Sequence, residues 1–327
     1  MILFIGDGMG EVQVEAGAYF AGRRLSFENF PSEGRLATFS ANSLVTDSAA
    51  SATAMATGEK VGNRVLALRI PGNGEPLPTL LEIFQTKGKL TGLVTTTFIT
   101  HATPAAFAAH EPDRELYEAI FQDFLETSPT LFLGGAGTES AVTSTGALAA
   151  GYAVVTTRDE LLALPLETVK IWGQFGEGHM PYEADGLGNL PHLSEMTLAA
   201  ISRLASGPDG FFLMVEGGRI DHAGHDNDEG RLVREVTEFS NAVQVAENWA
   251  AGRTDTLLLV TADHETGGLE VLLDKGAGNV PEVSWSTTGH TGDPVPLYAW
   301  GQNAELVSGT LDNTDVFKIA GGCAPAP

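Results

Sequence analysis

The chain has a single cysteine, Cys323, close to its C-terminal end, so no internal disulfide can staple the fold. Basic side chains are scarce: 18 Lys and Arg stand against 42 Asp and Glu, a formal net charge of −24. That imbalance argues against nucleic-acid binding and against an anionic membrane surface, since both need a basic face. It also means that an anionic substrate must find its positive field locally, in bound metals or single arginines. No run of about 20 apolar residues is present to span a bilayer. Met1 abuts the first apolar run, so no signal peptide is expected within this sequence and a mature or trimmed chain is the expectation. No Pro/Ser-rich linker, repeat or low-complexity tract divides the sequence. Its 327 residues are enough for a large core, and apolar strands alternate with helical stretches. The reading is one α/β domain over 1–327.

What the chain does have is chemistry at the ends of apolar runs. Ile2 to Ile5 leads into Asp7; Leu90 to Thr97 leads to His101 and Thr103; Phe211 to Val215 leads to Glu216; Thr256 to Val260 leads to Asp263 and His264. Short continuous apolar runs suit strands buried on both faces. In open α/β sheets, ligands bind beyond the carboxyl ends of such strands. Two more pieces follow. Asp221 and His225 have helical i, i+4 spacing, although Gly224 weakens the helix there, and His290 sits between Gly289 and Gly292 in a polar turn. Zinc takes imidazole and carboxylate, magnesium prefers hard oxygen, and this inventory is enough for two zincs and one harder cation. Any one of these residues alone reads equally as a capping Asp or a loop His. Together, so many buried acids lack basic partners. Helical patterns are predicted near 79–87, 114–127, 193–205 and 229–250, with a long loop over 173–192.

Residues 45–58 add a nucleophile. Thr46-Asp47-Ser48 opens a run of small residues, which places Ser48 at a predicted helix start. Free backbone N–H groups and the helix dipole favour an anion there. In isolation this reads as a capping residue on a small-residue packing helix. The ligand inventory reverses that reading.

The chain resembles the alkaline phosphatases from Met1 to about Ile319. The resemblance rests on Gly6-Asp7-Gly8-Met9-Gly10, Thr46-Asp47-Ser48-Ala49-Ala50-Ser51 and Thr261-Ala262-Asp263-His264-Glu265-Thr266-Gly267-Gly268, in family order. It implies a largely parallel central sheet with helices on both faces, a three-layer sandwich. It implies hydrolysis of phosphate monoesters through a phosphoserine on Ser48. Asp221, His225 and His290 match the ligands of one zinc, and Asp7, Asp263 and His264 those of a second. Asp7, Thr103 and Glu216 match the magnesium site, and Arg114 the arginine that clamps phosphate. Without the resemblance, Arg114 reads as a surface residue of a helix.

His101 and His222 stand where well-known bacterial members carry aspartate and lysine. The expectation is a third site that holds magnesium weakly and accepts zinc in excess. Only 25 residues separate His264 from His290, so a short surface loop, 265–289, replaces a larger insert. The family is usually periplasmic or secreted, and a homodimer with a reduced contact is compatible with the resemblance. The alternatives are a phosphodiesterase or nucleotide pyrophosphatase on the same two-zinc core, and a non-catalytic metal- or phosphate-binding protein.

Overall fold

The structure, a computed structural model, describes residues 1–137 and 144–323; the remaining residues of the 1–327 span lie outside it. In chain order the strands are β1 (Ile2–Ile5), β2 (Ser32–Ala37), β3 (Leu90–Phe98), β4 (Leu131–Gly135), β5 (Ala153–Val155), β6 (Ile171–Phe175), β7 (Phe211–Glu216), β8 (Leu257–Thr261), β9 (Glu265–Thr266), β10 (Leu269–Leu273), β11 (Glu282–Trp285), β12 (His290–Thr291), β13 (Val295–Gly301) and β14 (Gly309–Asp312). Ten of them form one sheet in the order β14-β2-β13-β8-β1-β7-β3-β4-β6-β5. From β8 to β5 every pairing is parallel, and β13 alone runs antiparallel to its neighbours. The expected largely parallel α/β sheet is therefore what forms.

β1, β7 and β8 are buried at every position, which is why their sequences run apolar without alternation. Two sets of helices cover the sheet. Glu11–Ala21, Leu193–Leu204 and Glu229–Ala250 pack together, and Ser48–Thr57, Leu80–Thr86, Ala102–Ala108 and Tyr117–Thr127 form the second set. Both sets touch β3 and β7.

The predicted helices appear with trimmed ends. Thr79 and Glu82 form a reciprocal capping box that starts the first at Leu80. The helix expected from 114 begins only at Tyr117, because Arg114 N donates to Arg64 O at 2.8 Å and draws the chain aside. The stretch Arg219–His225 is helical despite Gly224. Thr266 lies 3.1–3.2 Å from where a Cβ at Gly224 would stand, so a glycine lets this helix reach β9. Within 173–192 the end of β6 is followed by irregular chain with one turn of 3-10 helix, Glu183–Asp185. The segment 265–289 carries β9 and the β10–β11 hairpin.

Strand order positions the chemistry. β8, β1, β7 and β3 lie side by side, with Ile5 in register with Thr261 and Glu216, and Thr95 opposite Glu216. Their carboxyl ends form one edge, and the polar residues after each apolar run converge there.

Candidate active site and metal centre

Three donor sets form at this edge: Asp221, His225 and His290; Asp7, Asp263 and His264; and Asp7, His101 and Glu216. Within each set the donor atoms lie within 4.8 Å of one another.

In the first set, His225 Nε2 stands 3.1 Å from His290 Nε2 and 3.3 Å from Asp221 Oδ2. The other ring nitrogens are committed to carbonyls, His225 Nδ1 to Thr288 O at 2.6 Å and His290 Nδ1 to Thr46 O at 2.9 Å. A carbonyl only accepts, so both Nδ1 atoms carry hydrogen and both Nε2 lone pairs face the Asp221 carboxylate. Such an arrangement is repulsive unless a cation lies between. With no metal bound, a proton takes that place: the hydrogen bond to Asp221 pushes His225 up to about 9.

The second set is fully buried. His264 Nε2 lies 3.4 Å from Asp7 Oδ1 and 3.3 Å from Asp263 Oδ2. Thr266 Oγ1 donates to Asp221 Oδ1 at 2.6 Å, which leaves it to accept from His264 Nδ1 at 3.2 Å. One hydroxyl thus turns the His264 lone pair toward the carboxylates and ties the two sets together. The β9–β12 pairing places Thr266 opposite His290, and the His264 and His290 rings stack at 3.5 Å.

Among the described residues, both Asp7 oxygens, Asp263 Oδ2, Glu216 Oε1 and Thr103 Oγ1 are buried without a hydrogen-bond partner. Orphaned polar atoms of this kind each cost about 1–3 kcal/mol. Here they are gathered into the second and third sets, and hard oxygen predominates in the third. The donor chemistry therefore fits metal ions. Burial, reinforced by the neighbouring Asp263 carboxylate, holds Asp7 well above the ordinary carboxylate range. Burial also lifts Glu216 to about 7 and, together with Asp221, Asp263 to about 6. Thr95 and Thr97 hydroxyls hold Glu216 Oε2.

Ser48 begins the helix Ser48–Thr57, capped by the Asp47 side chain, which accepts from Ala50 N at 3.1 Å. Apart from Met55 the helix is built of small residues, it is wholly buried, and Ser51 Oγ fastens it to Asp263 O at 2.7 Å. Ser48 Oγ comes to 3.4 Å from His264 Nε2. Arg114 lies beside it, with Nη1 on Asp47 Oδ2 at 3.1 Å and Nη2 on His101 Nε2 at 3.2 Å.

His101 falls in the third set with Asp7 and Glu216; His222 does not. His222 Nδ1 faces Arg219 Nη1 at 2.7 Å, and its ring lies 5.9 Å from that of His101. Sequence reasoning missed His179, whose ring is 4.4 Å from His222 and 5.5 Å from His101. It also missed Arg219, Thr266 and the Thr95/Thr97 pair. For the threonines a signal existed, a polar run closing an apolar strand. A fourth grouping, Glu183, His192 and Glu238, lies elsewhere. Glu238 there is bonded to Ser194 N and Asn241, and Glu183 to His192.

The chain matches the alkaline phosphatase family model over residues 1–128, 142–281 and 274–323. It is 30% identical to alkaline phosphatase 3 of Bacillus subtilis (strain 168), covering 97% of this chain and 87% of the relative. Among solved structures, the alkaline phosphatase of the Antarctic bacterium TAB5 superposes with a TM-score of 0.88 at 31% identity, covering 98% of this chain and 96% of that one. A cold-active alkaline phosphatase from a psychrophilic Shewanella species gives a TM-score of 0.90 at 30% identity, with full coverage of both chains. A His-to-Asp variant of the TAB5 enzyme is described with magnesium in its M3 site.

Proposed function

The chain belongs to the alkaline phosphatase family, and from that premise we propose that it hydrolyses phosphate monoesters through a phosphoserine on Ser48. The observation that carries the reading is Ser48 Oγ at a helix start, 3.4 Å from His264 Nε2 and beside buried donor sets with orphaned oxygens. Asp221, His225 and His290 would hold one zinc, Asp7, Asp263 and His264 a second, and Asp7, Thr103 and Glu216 a magnesium, with His101 at its edge. When bound, these ions supply the Lewis acidity that lowers the Ser48 pKa and offsets charge on the entering and leaving oxygens.

The chain's own part is placement. Ser48 Oγ attacks phosphorus, the Ser–O–P bond forms, and the ester P–O bond breaks. The departing alcohol takes up the proton that Ser48 gives to solvent. Water then displaces Ser48, restoring its hydroxyl and releasing inorganic phosphate. Arg114, held at Asp47 directly before the nucleophile, grips non-bridging oxygens through its planar fork. The N-terminus of the helix Ser48–Thr57 favours the phosphoryl charge.

A phosphodiesterase on the same core would leave the third donor set and Arg114 without a role. Turnover of a phosphate monoester against a diester separates the two readings. A chelator should abolish monoester turnover, and zinc plus magnesium should restore it. Preference for the diester, or turnover indifferent to chelation, would overturn the proposal.

A further inference from the structure

Arg219 is mostly buried, yet it makes no ion pair among the described residues. Its guanidinium lies 3.7 Å from the Tyr182 ring, whose environment is shared with Arg231 at 4.4 Å. Arg231 has its own carboxylate, Asp185, at 2.9 Å. Among the described residues, the one side-chain acceptor of Arg219 is His222 Nδ1, at 2.7 Å, and Arg219 Nε is buried without a partner. A guanidinium only donates. His222 Nδ1 must therefore present its lone pair, and the ring hydrogen sits on Nε2. His179 has the same arrangement by another route: the Phe98 backbone N–H donates to its Nδ1 at 3.3 Å, which puts its hydrogen on Nε2. The two rings are 4.4 Å apart, and neither Nε2–H has an acceptor among the described residues.

These donors adjoin the site. His222 lies 5.9 Å and His179 5.5 Å from His101, centroid to centroid, and His101 Nε2 accepts from Arg114. A phosphoryl dianion offers more lone pairs than one guanidinium can satisfy.

We propose that Arg219 is a positioning residue for phosphate. By donating to His222 Nδ1 it fixes the tautomer in which His222 Nε2–H, alongside His179 Nε2–H, donates to the bound phosphoryl group. The Tyr182 ring lies under the guanidinium and helps to hold it beside the imidazole. Without Arg219 the hydrogen is free to move to Nδ1, which turns a lone pair toward an anion. The inference rests on the phosphomonoesterase reading, and its test is separable from that reading.

Inorganic phosphate serves as the probe, with the metal-loaded protein and a double-mutant cycle. Arg219→Met should raise the phosphate inhibition constant about three- to tenfold, the range for losing one hydrogen bond. In a His222→Ala background the same change should have less than about a twofold effect. An equal loss in both backgrounds would show that Arg219 acts by general structural support and would overturn the proposal. Nitrogen-15 chemical shifts of the unmodified protein give a second reading that needs no variant. Hydrogen on His222 Nε2 is expected, and hydrogen on Nδ1 refutes the assignment even if Arg219→Met fails to fold. Absent monoester turnover would sink the function while leaving the tautomer measurable.

Discussion

Stripping the metals should cost the fold more at high pH than at low pH. Asp7, Asp263 and Glu216 are buried together, and without cations their carboxyls hold protons to higher pH than in the unfolded chain. A carboxyl with a raised folded-state pKa stabilises the fold below its unfolded value, and that contribution is lost as pH rises through the folded value. Glu216 moves from 4.5 to about 7, which corresponds to about 3 kcal/mol lost between those limits. The three groups interact, so one group's worth is the safer magnitude. At about 2 cal/mol/K of unfolding entropy per residue, a chain of this length loses roughly 4 °C in Tm. The assay is calorimetry at pH 5 and pH 8, on chelator-treated and metal-loaded protein. Burial also lowers His179 and His222, which adds stability to both forms as pH rises, so the carboxyls are read from the difference: from pH 5 to pH 8 the treated protein should lose more in Tm, or gain less, than the loaded protein. A Tm change from pH 5 to pH 8 that is the same in both forms, or more favourable in the treated protein, would refute the idea that these carboxyls converge on cations.

Ser48→Ala should greatly reduce turnover while leaving phosphate and metal binding largely intact, and phosphate trapped at acid pH on any other residue would exclude Ser48 as the nucleophile. His290→Ala removes a donor from the Asp221/His225 set only, so metal analysis should show about one zinc lost per chain; full occupancy with normal turnover would remove His290 from the ligands. Arg114→Ala should weaken phosphate inhibition roughly 10- to 150-fold, from about 1.5–3 kcal/mol for a charge-assisted bidentate contact, and unchanged inhibition would assign Arg114 to supporting Asp47 alone. His101→Asp adds a hard oxygen and a negative charge to the third donor set, so equilibrium dialysis should show tighter magnesium binding than in the parent chain; equal affinity would mean His101 does not tune that set.

The parts legible in the sequence share one cause. β1, β7 and β8 are buried on both faces, so apolar runs dominate their sequences, and the donors either close the strand, as Glu216 does, or follow within three residues of its end. The edge strand β14 and its neighbour β2 gave no such signal because exposed positions interrupt them. β13 carries Pro296 and reads as broken, although that residue pairs in register with Arg35. His179 lies in irregular chain after β6, and nothing in its spacing connects it to His222; only the docking of that loop beside β3 does. Arg219 was visible next to the Asp221 motif, but its role depends on Tyr182, which approaches through the fold rather than along the chain.

The two-residue pairing of β9 with β12 has an evolutionary consequence. It clamps both ends of the 267–289 segment at the site, Thr266 against His290 and Glu265 against Thr291. Apart from Thr288, whose carbonyl orients His225, what the chain does between those clamps is decoupled from the geometry of the donors. Closing a longer excursion costs little more than closing a short one, about 0.6 kcal/mol for each doubling of length. The segment is therefore a natural port for grafted sequence, where a lineage could add or shed a whole rim, and with it a preference for one alcohol over another, while inheriting the same catalytic floor.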